Sequence, residues 1–227
     1  MNPPSPTLRL RVAGADLTLD LSPRRLVVAG YTARDEAAVA AHIAELAAIG
    51  VPPPPSVPAF YELDPVLLTT DPVIKVAGET TSGEVEPVLI RHRGLYYLAV
   101  GSDHTDRALE RADIAASKAA CPKPISAQAI ALGTDPCAAD WERLTVACQV
   151  DDAPYQRGPA ALLRHPAELL GRMSAGGAPA DADLVLFCGT LPLLAGEFVP
   201  GTHWRLRLEL AGGPTLSHAY ETKRRSA

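Results

Sequence analysis

Alternation of apolar and polar residues predicts β-strands along much of the chain. The segment TLRLRVAGADLTLDL alternates on both sides of a glycine-containing turn, which is typical of a β-hairpin with one buried face. RRLVVAGYT predicts a third strand that ends at Gly30. Later in the chain, ADLVLFCGTLPLL predicts a buried strand that enters a Gly-Thr turn, and THWRLRLEL and TLSHAY predict two closing strands.

Helical periodicity replaces this alternation in three places. Residues 34–49 are rich in alanine and carry an apolar stripe, which predicts a helix capped by Thr32, with Asp35 in its first turn and Gly50 at its end. Helical stretches also follow Asp103 (RALERADIAASKAA) and lie within PAALLRHPAELLGRM. Short strands outnumber helices and do not alternate regularly with them, so we predict an α+β fold with a β-rich core.

The proline run VPPPPSVP divides the helix from the segments that follow it. We interpret it as a stiff, extended connector within one domain, because proline cannot occupy a helix interior or a central strand. The prediction is a single domain over 1–227, with a β-hairpin region at 1–30, a helix and connector at 31–58, and a core at 59–227.

Composition narrows the classes of partner. The 227 residues are 47% hydrophobic and carry a formal net charge of −5. This charge argues against nucleic acids and anionic membranes as partners and favours a small polar substrate. The N-terminal sequence does not resemble a secretory signal, and no apolar run reaches membrane-helix length, so we expect a cytoplasmic protein. The four cysteines are scattered and are interpreted as reduced thiols.

Three carboxylates are concentrated in the stretch SGEVEPVLIRHRGLYYLAVGSDHTDR. Glu84 and Glu86 lie two residues apart on a predicted strand, so they share a face. A hairpin turn centred on residues 92–93 would bring position 101 opposite Glu84, with Asp103 one step beyond. The pattern therefore predicts that the three acids converge at one end of the hairpin.

Such a cluster needs compensation, because buried carboxylates repel one another. Protein cations, protonation or a bound metal ion would each supply it. An all-oxygen ligand set favours a hard divalent ion, Mg²⁺ or Mn²⁺, with Ca²⁺ as a further candidate, whereas zinc normally recruits His or Cys. The alternative is a set of acids that are merely solvated at a strand end.

A second candidate group is the pair His42 and Glu45. These residues are three apart on the predicted helix and are therefore neighbours on its surface. A carboxylate beside an imidazole orients it and raises its basicity, as a general base requires. An ordinary solvent-facing pair is the alternative interpretation.

Together these segments resemble the fumarylacetoacetate hydrolase superfamily, in an uncharacterised bacterial branch. GEVEPVLI resembles the E-x-E strand of the family and GSDHTDR its later Asp segment, which implies Glu84, Glu86 and Asp103 as metal ligands. GYTARDEAAVAAHIAEL resembles the family's lid, which implies His42 and Glu45 as the water-activating dyad. The implied fold is a rolled, barrel-like β-sheet with a helical lid, of which 59–227 would be the metal-binding catalytic core.

Further roles are implied by the same resemblance. ASKAACPKP resembles the family's lysine segment and implies a catalytic Lys118. The segments YQRGPAALL and FCGTLP imply substrate contacts for Gln156 and Thr190. His104, beside the predicted ligand Asp103, is assigned to substrate binding, with a supporting role behind the metal, an added acid/base role or a purely structural role as alternatives. The resemblance also implies a homodimer.

The function implied by the resemblance is metal-dependent hydrolysis of a C–C bond in a 1,3-dicarbonyl or acylpyruvate-type molecule, with an enolate stabilised by the metal. Decarboxylation, dehydration or tautomerisation of a 2-oxo acid is an alternative, and a non-catalytic metal-binding protein is another. The sequence departs from the family in the short connection between Glu86 and Asp103, in the residues around Asp103 and in an insertion before His42. A serine hydrolase is not indicated, because the sequence contains no G-x-S-x-G motif.

Overall fold

A computed structural model describes residues 7–48, 53–175 and 182–225. Within this part of the chain the strands are β1 (Leu8–Val12), β2 (Thr18–Leu21), β3 (Arg25–Gly30), β4 (Ala59–Leu63), β5 (Leu68–Thr69), β6 (Val73–Val76), β7 (Thr81–Ser82), β8 (Val85–His92), β9 (Leu95–Ser102), β10 (Thr105–Asp106), β11 (Lys123–Pro124), β12 (Gln128–Gly133), β13 (Leu144–Val150), β14 (Ala153–Pro159), β15 (Leu184–Phe187), β16 (His203–Leu210) and β17 (Thr215–Arg224). The helices are α1 (Glu36–Ala48), α2 (Arg107–Glu110), α3 (Ile114–Ala119) and α4 (Pro166–Ala175). None of the described helices is long and apolar enough to cross a membrane.

Two large sheets form the architecture. The first has eight strands in the order β2-β1-β12-β9-β8-β15-β3-β4, and the second has five in the order β14-β13-β16-β17-β6. Most neighbouring strands in these sheets are antiparallel, including the hairpins β1–β2, β8–β9, β13–β14 and β16–β17, whereas β1 with β12, β15 with β3, and β17 with β6 are parallel. The eight-stranded sheet curls into a half-barrel. The predicted α+β fold with a rolled β-sheet core is confirmed.

The central strands of the curled sheet are buried on both faces. Along β8, Val85 and Leu89 contribute to the core shared with the five-stranded sheet. Val88 and Ile90 point the other way, into a second core inside the curl of the sheet. This division follows from the two-residue period of a strand. Any side chain in phase with Val88 therefore points into the half-barrel.

The β8–β9 hairpin is present, but its predicted register is wrong. Glu86 pairs with Gly101 and His92 with Leu95, so the turn is formed by Arg93 and Gly94 and not by residues 92–93. Both turn residues have positive φ, 51° and 76°, as the tight turns that match strand twist require. Asp103 consequently lies opposite Glu84 itself and not one step beyond it.

Three of the helix predictions need correction, and the first concerns the cap of α1. The side chain of Asp35, not that of Thr32, caps α1 by accepting hydrogen bonds from the amides of Ala37 and Ala38 at 3.0 Å. Thr32 is buried, and its carbonyl accepts from the amide of Arg164 at 2.7 Å. Gly50, the predicted end of this helix, lies outside the described residues.

The stretch after Asp103 forms two short helices in place of one. Asp113 interrupts the helical path, because its carboxylate accepts from the amide of Ala116 and thereby starts α3. The third predicted helix is likewise divided into a single 3₁₀ turn and α4, which begins at Pro166, where proline suits a first helical position.

Candidate active site

Three carboxylates converge at one end of the half-barrel interior. Glu84 and Glu86 are in phase with Val88 on β8, and Asp103 follows β9 opposite Glu84. Asp103 is fully buried, Glu86 is 2% exposed, and the side chain of Glu84 is 13% exposed. The charges of Asp103 and Glu84 both act on Glu86, so the three acids are neighbours, and they are largely shielded from solvent.

Two ammonium groups neutralise Asp103. The Nζ of Lys118 donates to Asp103 Oδ2, and the Nζ of Lys123 lies 3.3 Å from Asp103 Oδ1. Burial alone would raise the pKa of Asp103, but the two lysines outweigh burial and lower that pKa to about 2. The pKa of Lys118 is raised: burial opposes this, but Asp103 and Glu84 stabilise the charged form. Asp103 is therefore held as a carboxylate.

The pKa of Glu86 is shifted in the opposite direction to that of Asp103. Burial, followed by the charge of Asp103, raises its pKa well above the ordinary value. The only described hydrogen bond to its carboxylate comes from the amide of Gly189 to Oε2, at 2.7 Å. Gly189 has φ +99°, and a Cβ there would lie 1.7 Å from Thr32 Oγ1. A glycine is therefore required at this position, where the backbone amide meets Glu86.

Glu84 pairs with a buried arginine. The guanidinium Nη2 of Arg107 lies 3.2 Å from Glu84 Oε2, and Nη1 donates to both carboxylate oxygens of Glu110 at 2.9 Å. The ring of Phe198 covers the guanidinium at 3.6 Å. Burial opposes the charge of Arg107, but Glu84 and Glu110 raise its pKa. This arginine holds the Glu84 carboxylate in place within the cluster.

The donor chemistry of the cluster suits a hard divalent ion. Within the described residues, no three His, Cys, Asp or Glu side chains are arranged as a preformed metal site, since protein cations lie against Asp103 and Glu84. All three carboxylates nevertheless contribute oxygen, the ligand that Mg²⁺ and Mn²⁺ prefer. The charges of Asp103 and Glu84 repel a negative charge on Glu86, and an added cation would relieve this repulsion. By this test the residues fit a divalent metal.

Two tyrosines border the cluster. The ring centre of Tyr61, on β4, lies 5.6 Å from Lys118 Nζ. Burial and the neighbouring Tyr31 raise the pKa of Tyr61 to about 12, and burial with Glu110 raises that of Tyr31. Both phenols are therefore protonated at neutral pH and can donate hydrogen bonds. Tyr31 has φ +57°, an uncommon conformation for a tyrosine, at the turn between β3 and α1.

Gln156 and Thr190 hold two strands together next to Glu86. The Gln156 side chain accepts from the amide of Val85 at 2.9 Å and donates to Thr190 Oγ1 at 2.8 Å and to the carbonyl of Leu191 at 2.6 Å. The hydroxyl of Thr190 donates to the carbonyl of Val85 at 2.9 Å. Gln156 is 1% exposed, so this geometry supports a structural role. Thr190 is half-buried and keeps a surface near the cluster.

His104 points away from the cluster, into the core between the sheets. Its Nδ1 lies 3.0 Å from the hydroxyl of Tyr220, and its Nε2 lies 3.0 Å from Thr81 Oγ1. It is fully buried, and burial lowers its pKa to about 3. Both ring nitrogens are engaged, so substrate contact, the predicted role, does not match this placement. This placement does match the alternative role, in which His104 supports the loop that carries Asp103.

His42 and Glu45 lie on α1, but their side chains are outside the described part of the structure. Their proposed role as a dyad therefore stays a prediction.

Sequence reasoning missed five residues of this site: Tyr31, Tyr61, Arg107, Glu110 and Lys123. Arg107 had a detectable signal, since it follows Asp103 by four residues in the stretch that drew attention to the acids. Tyr61 and Lys123 had none, because β4 and β11 reach the cluster only through long-range packing.

Comparisons with known proteins agree with this architecture. A family profile described as "Protein of unknown function (DUF2848)" matches residues 29–220. No curated protein matches the chain.

Solved structures resemble the whole chain at low sequence identity. A putative fumarylacetoacetate isomerase/hydrolase from Oleispira antarctica superposes with a TM-score of 0.67 at 15% identity, over 94% of this chain and 99% of that one. A fumarylpyruvate hydrolase from Pseudomonas aeruginosa, in complex with Mn²⁺ and pyruvate, gives 0.66 at 18% identity over 99% of each chain. The yeast fumarylacetoacetate hydrolase family protein ynq8 gives 0.64 at 17%, over 90% and 95%. The resemblance inferred from the sequence is thus confirmed for the fold.

Proposed function

We propose that this chain, which belongs to the DUF2848 family and has the fumarylacetoacetate hydrolase fold, is a divalent-metal-dependent hydrolase that cleaves a C–C bond in a 1,3-dicarbonyl or acylpyruvate-type molecule. The observation that supports the proposal is that Glu84 and Glu86 share one face of the strand while Asp103 pairs opposite Glu84, beside Lys118. The fold neighbours include a fumarylpyruvate hydrolase and a 5-carboxymethyl-2-hydroxymuconate delta-isomerase, which supports an enzyme of this kind.

Glu84, Glu86 and Asp103 would hold the divalent ion, with Mg²⁺ or Mn²⁺ as the candidates. When bound, such an ion supplies positive charge that polarises a substrate carbonyl. Lys118 would remain beside Asp103, where its remaining ammonium hydrogens can bind a substrate oxygen that gains negative charge. The protonated phenols of Tyr31 and Tyr61 would donate hydrogen bonds to the other substrate oxygens.

The hydrolytic step would use the predicted dyad. His42, oriented by Glu45, would take a proton from water while the water oxygen bonds to a carbonyl carbon. The C–C bond then breaks, its electron pair passes to the departing carbon fragment, and the proton on His42 is returned to that fragment. Placement of the dyad on α1 would allow the base to close over the substrate only after binding. Thr190 would contact the substrate, with Gln156 fixing its position.

Incubation of the protein with Mn²⁺ and an acylpyruvate, such as fumarylpyruvate or acetylpyruvate, in ¹⁸O-water tests the proposal. Hydrolysis predicts cleavage, with one ¹⁸O in the newly formed carboxylate. Release of CO₂ or isomerisation without cleavage would contradict hydrolysis and favour the decarboxylase or tautomerase alternative.

His42→Ala is the matching variant, because the base is required for cleavage but is not among the proposed metal ligands. We expect it to reduce kcat at least 100-fold, in the range of a lost general base, while Mn²⁺ binding is retained. Absence of any turnover by the unmodified protein, with intact metal binding, would favour the non-catalytic alternative.

A further inference from the structure

Lys123 is a lysine whose charged end is wholly enclosed. It lies on the short strand β11 and is fully buried. Its Nζ donates to the carbonyl of His104 at 2.7 Å, to the carbonyl of Cys121 at 3.1 Å and to the carbonyl of Lys118. Asp103 Oδ1 is the fourth oxygen, at 3.3 Å.

The number of donated hydrogen bonds identifies the form of this group. A lysine ammonium has three hydrogens and no lone pair, and three carbonyls accept from it here. A neutral amine would turn its lone pair towards one of these oxygens. Lys123 is therefore present as an ammonium ion, although burial lowers its pKa, with Asp103 opposing that effect.

The oxygens around Lys123 belong to segments that must stay together for the site to exist. The carbonyl of His104 and the carboxylate of Asp103 belong to the loop after β9. The carbonyls of Lys118 and Cys121 lie at the end of α3, which carries the ammonium that faces Asp103. Carbonyls at a helix end lack partners in the helix and favour a cation. Among the described contacts, removal of the ammonium group would leave these three buried carbonyls without a donor.

Backbone carbonyl oxygens are also the groups that replace the hydration shell of a potassium ion in K⁺-selective sites. We infer that Lys123 is a tethered replacement for a potassium-like ion: an internal cation that joins the Asp103 loop to α3 and so positions both Asp103 and Lys118. It makes no contact with the open part of the site and is a positioning residue.

The inference predicts that a free ion can replace the tethered one. Lys123→Ala removes the side chain and leaves a space lined by the same four oxygens. We expect this variant to be destabilised in choline chloride and to regain stability in KCl or NH₄Cl at the same ionic strength. The expected rise in melting temperature is about 3 °C or more at 0.2 M salt.

Two matched variants complete the experiment. Lys118→Ala removes an ammonium that contacts the same aspartate but, among the described contacts, no carbonyl, so its melting temperature should not distinguish KCl from choline chloride. Lys123→Met fills the space with an uncharged chain and should be destabilised without rescue by K⁺. If Lys123→Ala is not folded as purified, its recovery on refolding from urea in either salt is the readout, and K⁺ should increase it.

Equal melting temperatures, or equal refolding yields, of Lys123→Ala in KCl and choline chloride would overturn the inference. The same holds if K⁺ stabilises Lys123→Met or Lys118→Ala as much as Lys123→Ala. None of these measurements uses a substrate or a divalent metal, so their failure would leave the proposed function standing, and failure of that function would leave this inference standing.

Discussion

Asp103 lies directly opposite Glu84 across the β8–β9 hairpin, with the amide of Asp103 donating to the carbonyl of Glu84 at 3.0 Å. This pairing places both carboxylates above the same buried face, with Glu86 two residues further along β8. The acidic cluster is thus a product of local hairpin geometry, whereas the cations that stabilise it come from α2, α3 and β11.

Replacement of Gly189 should disrupt the support of Glu86. In Gly189→Ala the new Cβ would lie 1.7 Å from Thr32 Oγ1 in a backbone with φ +99°. Gly196→Ala is the control, because it has φ +74° with nothing within 4 Å of the added Cβ. We expect Gly196→Ala to cost about 1–2 kcal/mol of unfolding free energy, and Gly189→Ala to cost at least about 2 kcal/mol more. Urea denaturation measures both, and equal losses would refute the close-contact explanation.

The buried contacts of His104 should act as a unit. Tyr220→Phe removes the hydroxyl beside His104 Nδ1 and Ser102 Oγ, at 3.0 and 2.8 Å. We expect this variant to lose about 1–3 kcal/mol, because buried polar atoms are left without partners. Thr81→Val removes the partner of Nε2 and should cost a similar amount. The double variant should lose less than the sum of the single losses, since both act on one imidazole. Strict additivity in urea denaturation would show that the two contacts are independent.

Burial of His218 should make stability depend on pH. Burial lowers its pKa to about 4, whereas an unfolded histidine titrates near 6.5. The native state therefore favours the neutral imidazole, so its contribution is present above about pH 6.5 and is lost as the pH falls towards 4. The part of this loss that is due to His218 should be at most about 3 kcal/mol, and His218→Leu should remove that part while leaving the decline that the buried His104 contributes.

The control for this pH dependence is His203→Leu on the paired strand β16. The side chain of His203 is 58% exposed. This variant leaves the half-buried imidazole of His218 in place and should retain the full decline in stability below about pH 6.5. Unfolding free energies measured from pH 4 to 8 decide the matter, and an unchanged decline in His218→Leu would be inconsistent with the assignment.

The sequence predicted those features that depend on local pattern. Strict alternation revealed the β1–β2 hairpin and the shared face of Glu84 and Glu86, because the strand period is intrinsic to the backbone. The register was missed by one pair because Arg93-Gly94, and not His92-Arg93, occupies the left-handed conformations of the turn. The Gly at the second turn position was the available signal.

The parts of the site that could not be predicted depend on long-range packing. Lys123 stands between Pro122 and Pro124, and a lysine is usually exposed wherever it stands in a sequence. Its burial arises only because the chain passes β5 and α3 around it. The orientation of His104 was likewise undetermined, because it depends on Tyr220, a residue 116 positions further along the chain.

Calorimetric titration of metal-free protein with MnCl₂ tests the central claim most directly. We predict one Mn²⁺ per chain for the unmodified protein and for the control Glu62→Gln, an exposed glutamate on β4. Binding should be weakened at least tenfold in Glu84→Gln, Glu86→Gln and Asp103→Asn, each of which keeps the size of the side chain. Absence of binding at millimolar Mn²⁺ in the unmodified protein, or binding that none of the three substitutions alters, would contradict the account.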